Sequence, residues 1–348
     1  KNRFNRVIKM TLHSRIDFIK QRIASLDAER QLLLRELEEL TKQCRARTSD
    51  LSVSKRMTPA EKITLFKRVF IAREDVYARR FEGSGSYKSG YAPVCANEWI
   101  PGVCHKKEIK CAQCSFRQFE PVSDQIIEMH LRGQDRRGKP FTMGTYPLMR
   151  DDRCRFVVVD FDGDQFESDT KSFVQVCKNE NIPVYIERSR SGNGAHVWFF
   201  FSEAILASHA RRFVTLLLSK TMETNADIGF DSYDRLLPNQ DTLPKGGLGN
   251  LIALPLQREP RKANNSIFVD EDFNAFSDQW AVLASIRRIA VENVLTYLET
   301  HTYQADVTGV SRSNFDLSEE ESVFKSKSVA LPSIVANVDT LDIELNNQ

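Results

Sequence analysis

An α+β fold is predicted from an apolar β-branched run, a second apolar run behind a polar loop, and amphipathic stretches around them. Phe156-Val157-Val158-Val159 reads as a buried strand, ended by Asp160-Phe161-Asp162. Ala195-His196-Val197-Trp198-Phe199-Phe200-Phe201 reads as a second strand, and Pro183 to Glu187 as a shorter one before it. Ser168 to Asn179 and Ala204 to Glu223 carry helical periodicity. Side chains alternate along a strand, so Asp160 and Asp162 share a face. Two close carboxylates repel and raise each other's pKa, and a divalent cation between them is the simplest remedy.

The chain has 348 residues, is 41% apolar and 28% charged, and has room for more than one domain. It contains no long uncharged apolar run and no leader with an apolar core, so neither membrane nor export is indicated and a cytoplasmic location is expected. A net charge of +2 excludes an argument for nucleic acid from charge alone. It starts at Lys1 without Met and ends at Gln348 without a closing element, which reads as a piece of something longer. Three segments are expected: 1–57 as an N-terminal helix and linker, 58–302 as the main domain, and 303–348 as a tail.

Leu12, Ile16, Ile19, Ile23, Leu26, Leu33, Leu37, Leu40 and Cys44 alternate at spacings of four and three, with Arg30 in the one gap. That is a heptad seam, and it predicts a homodimer through an N-terminal coiled coil. Isoleucine at Ile16 and Ile23 leans toward parallel pairing. The alternative is a helix packed on its own domain. Arg45 to Lys55 reads as a polar linker.

Thr58-Pro59-Ala60-Glu61 is a capping box with proline in the first turn, predicting a helix through Phe66, Val69 and Val76 to about Phe81. Gly83 to Gly90 is a glycine-serine loop without P-loop order. Cys95, Cys104, Cys111 and Cys114 follow, at spacings x8, x6 and x2. Four soft ligands ending in a CxxC knuckle, among loop-like residues, fit one structural zinc ion, with His105 able to stand in for Cys104. Buried free cysteines are the alternative.

Between the two apolar strands lies Arg188-Ser189-Arg190-Ser191-Gly192-Asn193-Gly194, a loop whose backbone N–H groups, with Ser191 and Arg190, suit phosphate oxygens. His196 follows it directly. Asp227, Asp231 and Asp234 lie close together before Arg235, and Lys245 sits on a glycine-flanked turn ahead of a strand expected over Asn250 to Leu256. Asp278 to Thr300 reads as one amphipathic helix, with a linker beyond Tyr303.

Taken together these residues resemble the archaeo-eukaryotic primase superfamily: an acidic pair on a strand, a serine-to-histidine motif on a later strand, and a third acid before a basic segment. Within it the chain is most similar to the primase module of TOTE conflict systems, and it is similar to CRISPR-associated primase-polymerases. The likeness covers roughly Glu61 to Ile289, including Ala72-Arg73-Glu74-Asp75-Val76-Tyr77-Ala78, Tyr146-Pro147-Leu148, Glu187 to His196, Ser232-Tyr233-Asp234-Arg235 and Gly249 to Gln257. Ala72 and Asn193 depart from it, where relatives commonly carry glycine and a basic residue.

The resemblance implies an RRM-like catalytic sheet packed with a second α/β layer, and template-directed nucleotidyl transfer by a DNA primase or polymerase of bacterial or mobile-element origin. It implies that Asp160, Asp162 and Asp234, with Asp231 as the alternative, hold two Mg²⁺ or Mn²⁺ ions. Ser191 and His196, helped by Arg190 and Lys245, would receive the triphosphate of a dNTP or NTP. Implied partners are single-stranded DNA template or primer-template, and a helicase or CRISPR adaptation proteins. The chemistry is that of two-metal phosphoryl transfer.

A metal-dependent nuclease or replication initiator is the first competing class. It normally needs a His-hydrophobic-His pair, and none occurs among His13, His105, His130, His196, His209 and His301. An EF-hand beginning at Asp160 fails where Gln165 and Lys171 replace the required glycine and glutamate. A non-catalytic, zinc-containing nucleic-acid-binding module is the third.

Overall fold

The computed structural model describes residues 15–33, 35–36, 57–83, 89–224 and 232–305. The chain divides into two units, Lys1–Arg56 and Met57–Gln348. In the first, residues 15–33 and 35–36 are helical; Leu12, Leu37, Leu40, Cys44 and the expected linker lie outside the described residues. So do Asp227, Asp231 and the tail from residue 306. No described helix is long and apolar enough to cross a membrane.

The second unit is built on a five-stranded sheet. Its strands are β4 (Arg153–Asp162), β5 (Tyr185–Arg188), β6 (Gly194–Leu206), β7 (Tyr233–Leu237) and β9 (Ile267–Val269), in the order β7-β4-β6-β5-β9. All neighbours run antiparallel. Helix α3 (Phe166–Asn179) joins β4 to β5, and α4 (Ala207–Thr224) joins β6 to β7. This is a β-α-β-β-α-β path with its first strand inside the sheet, the split β-α-β arrangement.

A smaller antiparallel sheet holds β1 (Ala78–Phe81), β2 (Gly90–Pro93), β3 (Met143–Thr145) and β8 (Ile252–Ala253), in the order β2-β1-β3-β8. Around the sheets lie α1 (Pro59–Phe70), α2 (Asp124–Arg132), α5 (Arg258–Arg261), α6 (Gln279–Ala284) and α7 (Val291–Ala305).

Alternation sorts the large sheet into two faces. Phe161 and Phe199 meet Phe173 of α3 on one. On the other, Trp198 stacks with Phe200 at 5.8 Å, and Phe70 of α1 meets Trp198 edge-on at 5.2 Å. Phe70, Phe156, Trp198 and Phe200 are fully buried. Truncating a core aromatic of this size typically costs about 3–5 kcal/mol, so these rings fix the sheet on which the polar residues stand.

Three expected elements come out differently. The capped helix does begin at Pro59, with Thr58 and Glu61 bonded reciprocally, but it stops at Phe70 rather than near Phe81. Arg73 and Asp75 close a bidentate pair just after it, and Ala78–Phe81 pairs with strands on both sides, satisfying more backbone than an isolated helical extension would. The stretch from Asp278 to Thr300 is two helices, because Ile289 leaves the helical path to bond the backbone of Phe200 and Ser202. The strand expected over Asn250 to Leu256 shrinks to Ile252–Ala253, the stretch that pairs with β3.

His130, on α2, is fully buried. Its Nε2 donates to the Pro255 carbonyl at 2.9 Å and its Nδ1 accepts from the Met143 N–H at 3.1 Å, an arrangement that only the neutral ring satisfies. Burial pushes its pKa down to about 4. The unfolded chain therefore binds the extra proton first, and stability falls as pH drops from about 6.5 to about 4. A loss on the order of 3 kcal/mol is expected across that window. Denaturant midpoints at pH 7 and 5 should show it, with a flatter response in His130→Gln.

Candidate functional site

β4 carries its acids out of the core at its C-terminal end. Asp160 and Asp162 lie on the sheet face occupied further back by Phe156 and Val158, so the apolar floor turns polar within one strand. Cross-strand register sets Asp160 beside His196 on β6 and beside Arg235 on β7, and sets His196 beside Glu187 on β5. The result is a row of four charged or titratable side chains across four strands: Arg235, Asp160, His196 and Glu187.

The distances along the row are short. His196 Nε2 is 3.5 Å from Asp160 Oδ1, and Arg235 Nε is 4.0 Å from Asp160 Oδ2. His196 Nδ1 lies 3.0 Å from Glu187 Oε2, which also accepts from Trp198 Nε1 at 2.9 Å. Glu187 is 2% exposed, so its carboxylate is held from two sides and fixes the imidazole. Burial opposes a charge on His196, but the Glu187 carboxylate, with Asp160 and Asp162, outweighs it and raises the pKa to about 9. Burial pushes the Asp160 carboxyl above its ordinary range; Asp234 and Asp162 add to this while His196 and Arg235 oppose it.

Asp234 joins the group through an irregularity in β7. Asp160 pairs with Arg235 but Phe161 pairs with Tyr233, leaving Asp234 as the extra residue of a β-bulge. A bulge turns two successive side chains toward one face, so Asp234 reaches the side of Asp160 that strict alternation would deny it. Its carboxylate accepts from Arg235 Nε at 2.6 Å. The start of β7 is pinned by buried Asp169 of α3, which accepts from the Ser232 hydroxyl at 2.5 Å, and by the Asp162 N–H, which donates to the Ser232 carbonyl at 2.7 Å.

The loop between β5 and β6 folds as a tight hairpin beside the row. Ser189 N–H donates to the Gly194 carbonyl at 2.8 Å, and Ser191 Oγ lies 3.0 Å from Ser189 Oγ. A Cβ on Gly194 would lie 2.6 Å from the Phe161 carbonyl and 3.2 Å from Asp162 Oδ1, so only glycine lets the hairpin approach β4. Arg190 is 3.9 Å from Glu82.

Lys245 does not belong to this group. Two residues before it, the Leu243 N–H donates to Asp152 Oδ1 at 2.6 Å, beside the start of β4. The ten residues Arg153–Asp162 of β4 span roughly 30 Å, so Lys245 sits toward the wrong end of the strand to share a triphosphate with Ser191. Its turn is instead fixed on the cysteine segment, where Arg117 Nη1 donates to the Gly246 carbonyl at 2.7 Å.

Cys95, Cys104, Cys111 and Cys114 line one cavity of about 30 Å³, together with Lys106 and Arg117. All four are free thiols. Burial raises the Cys111 pKa, Lys106 lowers it, and Cys95 and Cys104 raise it further. His105 is turned toward Glu108 at 3.7 Å. Among the described residues, however, no group of three or more histidine, cysteine or acidic side chains is closed around a metal position, here or at the β4 acids. The donor chemistry fits zinc and Mg²⁺ or Mn²⁺ respectively; the closed coordination shell is what the structure does not supply.

The fold thus brings Asp160, Asp162, His196, Ser191 and Asp234 to one end of the sheet and sets the Lys245 turn beside the cysteine segment. The sequence alone assigns no role to Glu187 or Asp169, whose importance lies in pairing across strands and elements. An acid in an apolar strand, nine residues before a histidine in the adjoining strand, was the available signal for Glu187.

No curated protein matches the sequence. Among solved structures, the polymerase domain of Mycobacterium tuberculosis Ligase D in complex with DNA matches with 11% identity and a TM-score of 0.35, over 74% of this chain and 95% of that one. Residues 61–297, more than half of the 348, match the family described as the TOTE conflict system, Archaeo-Eukaryotic Primase domain. The chain belongs to that family.

Proposed function

We propose that this chain is a nucleotidyltransferase that extends or starts a nucleic-acid strand on a single-stranded DNA template, using dNTPs or NTPs. The observation that carries the reading is the convergence of Asp160, Asp162 and Asp234 with His196 at one end of the sheet, beside a hairpin rich in N–H and hydroxyl donors. Family membership supports the same chemistry.

In this reading Asp160, Asp162 and Asp234 hold two Mg²⁺ or Mn²⁺ ions, and Asp234 must exchange its bond to Arg235 for one of them. When bound, such ions neutralise phosphate charge and activate a 3′ hydroxyl. His196, kept cationic by Glu187, donates to triphosphate oxygens where negative charge accumulates, and Ser191 and the hairpin N–H groups orient the same phosphates. Arg190, released from Glu82, adds a further donor. The work belongs in a mobile-element or defence context beside a helicase or CRISPR adaptation proteins.

The test is incubation with single-stranded template, Mg²⁺ or Mn²⁺ and labelled nucleotides, with and without primer, and sizing of the products. Template-dependent extension supports the reading. Cleavage of a labelled strand without nucleotide incorporation would point to the nuclease class instead.

The cysteine segment is proposed to hold one structural zinc, bound by Cys95, Cys104, Cys111 and Cys114 after modest side-chain rotation into their shared cavity. Elemental analysis of protein purified without added metal should find about one zinc per chain. Cys111→Ser with Cys114→Ser should lose it; zinc-free wild-type protein would remove the assignment.

A further inference from the structure

Among the described residues, the helical stretch 15–33 with 35–36 leaves its apolar seam in water. Ile16, Ile19, Ile23, Leu26 and Leu33 are between 47% and 57% exposed. Their spacing puts them at the a and d positions of a heptad, with Arg30 at the remaining a position. Such a seam is covered by a second helix packing knobs into holes.

The residues beside the seam decide which way that helix runs. The charged residues at the e and g positions are Arg15, Lys20, Arg22, Asp27, Glu29 and Glu36, all among the described residues, basic in the first part of the helix and acidic in the second; the remaining e position is Leu34. Parallel pairing would set Arg15 beside Lys20 of the second copy and Arg30 against Arg30 in the interface, leaving Arg22 with Asp27 as the favourable contact.

Antiparallel pairing in the register that joins the described seam end to end gives a different result. Ile16 then meets Leu33, and Ile23 meets Leu26. Ile19 meets the aliphatic stem of Arg30, whose guanidinium reaches water. The flanking pairs become Arg15 with Glu36, Arg22 with Glu29, and Lys20 with Asp27. Each occurs twice by symmetry and every one is of opposite sign.

We propose that residues 15–36 form an antiparallel two-stranded coiled coil with a second copy of this chain. The core residue types taken alone favour the parallel form; the charges overrule them, because a buried Arg30 pair and a basic flank oppose it. The inference is independent of the polymerase reading.

Sedimentation of the full chain tests it by charge exchange. The wild type should be a dimer. Arg22→Glu and Glu29→Arg should each weaken association by about tenfold or more, since each places two like-charge pairs at the interface. The double variant Arg22→Glu with Glu29→Arg restores opposite signs and should recover to within about threefold of wild type. In a parallel dimer Glu29 faces Leu34, so Glu29→Arg would be neutral and could not rescue Arg22→Glu. Failure of rescue, or a monomeric wild type at every concentration, overturns the proposal.

Discussion

Asp160→Ala combined with Asp162→Ala is expected to abolish nucleotide incorporation, by roughly a thousandfold or more, while the protein stays folded. That loss corresponds to a barrier about 4 kcal/mol higher. Two considerations separate the catalytic effect from a structural one. Both acids lie at the outer end of β4, beyond the buried run Phe156 to Val159, so no core volume is lost. Burial and like charge also make Asp160 a poor contributor to stability in the metal-free protein, where it is raised in pKa and only partly compensated by His196 and Arg235. Removing it should leave the thermal midpoint near or above that of the wild type measured in chelator. Template-dependent synthesis surviving in the double variant would sink the metal assignment.

Glu187→Gln is expected to reduce incorporation by about ten- to a hundredfold, although Glu187 is a positioning residue that need not touch substrate. Glutamine can still accept from Trp198, so packing is preserved and the charge behind His196 is what disappears. In the wild type His196 stays protonated to about pH 9. Its folded-state pKa lies above the unfolded value, so its contribution to stability is complete below about pH 6.5 and is lost as pH rises through about 9. The contribution is on the order of 3 kcal/mol. The metal-free wild type should therefore lose stability between those limits, and Glu187→Gln should show a flatter profile. The activity deficit of the variant should be smaller at pH 6 than at pH 8; a deficit independent of pH would assign Glu187 a purely structural role. His130 acts with the opposite sign at lower pH, so the two histidines together place maximal stability near pH 6.5.

The elements legible in the sequence were those with a strong local signal. The β-branched run before Asp160, the capping box at Thr58 and the amphipathic α3 and α4 each declare themselves within a dozen residues. β1, β2, β3 and β9 were not read, because three or four residues become strands only through partners far away in the chain, as Arg79 does between Ala92 and Met143. β6 ran past its predicted end for the same reason: Ile205 and Leu206 continue it by pairing with Cys154 and Arg153.

At the site, the acidic pair followed from alternation alone, whereas Asp234 required a bulge that composition does not announce. Lys245 carries a suitable charge on a turn that continues into Gly246 and Gly247, but its place beside the start of β4 is set by a contact far away in the chain, the Leu243 N–H to the Asp152 carboxylate.

Packing behind the charged row also governs traffic. Trp198 and Phe200 leave no passage under His196, and Gly194 brings the hairpin against the main chain of β4. The sheet therefore offers no route from one face to the other at this point. Whatever binds the charged row has to arrive and depart on the same open side, over the strand ends.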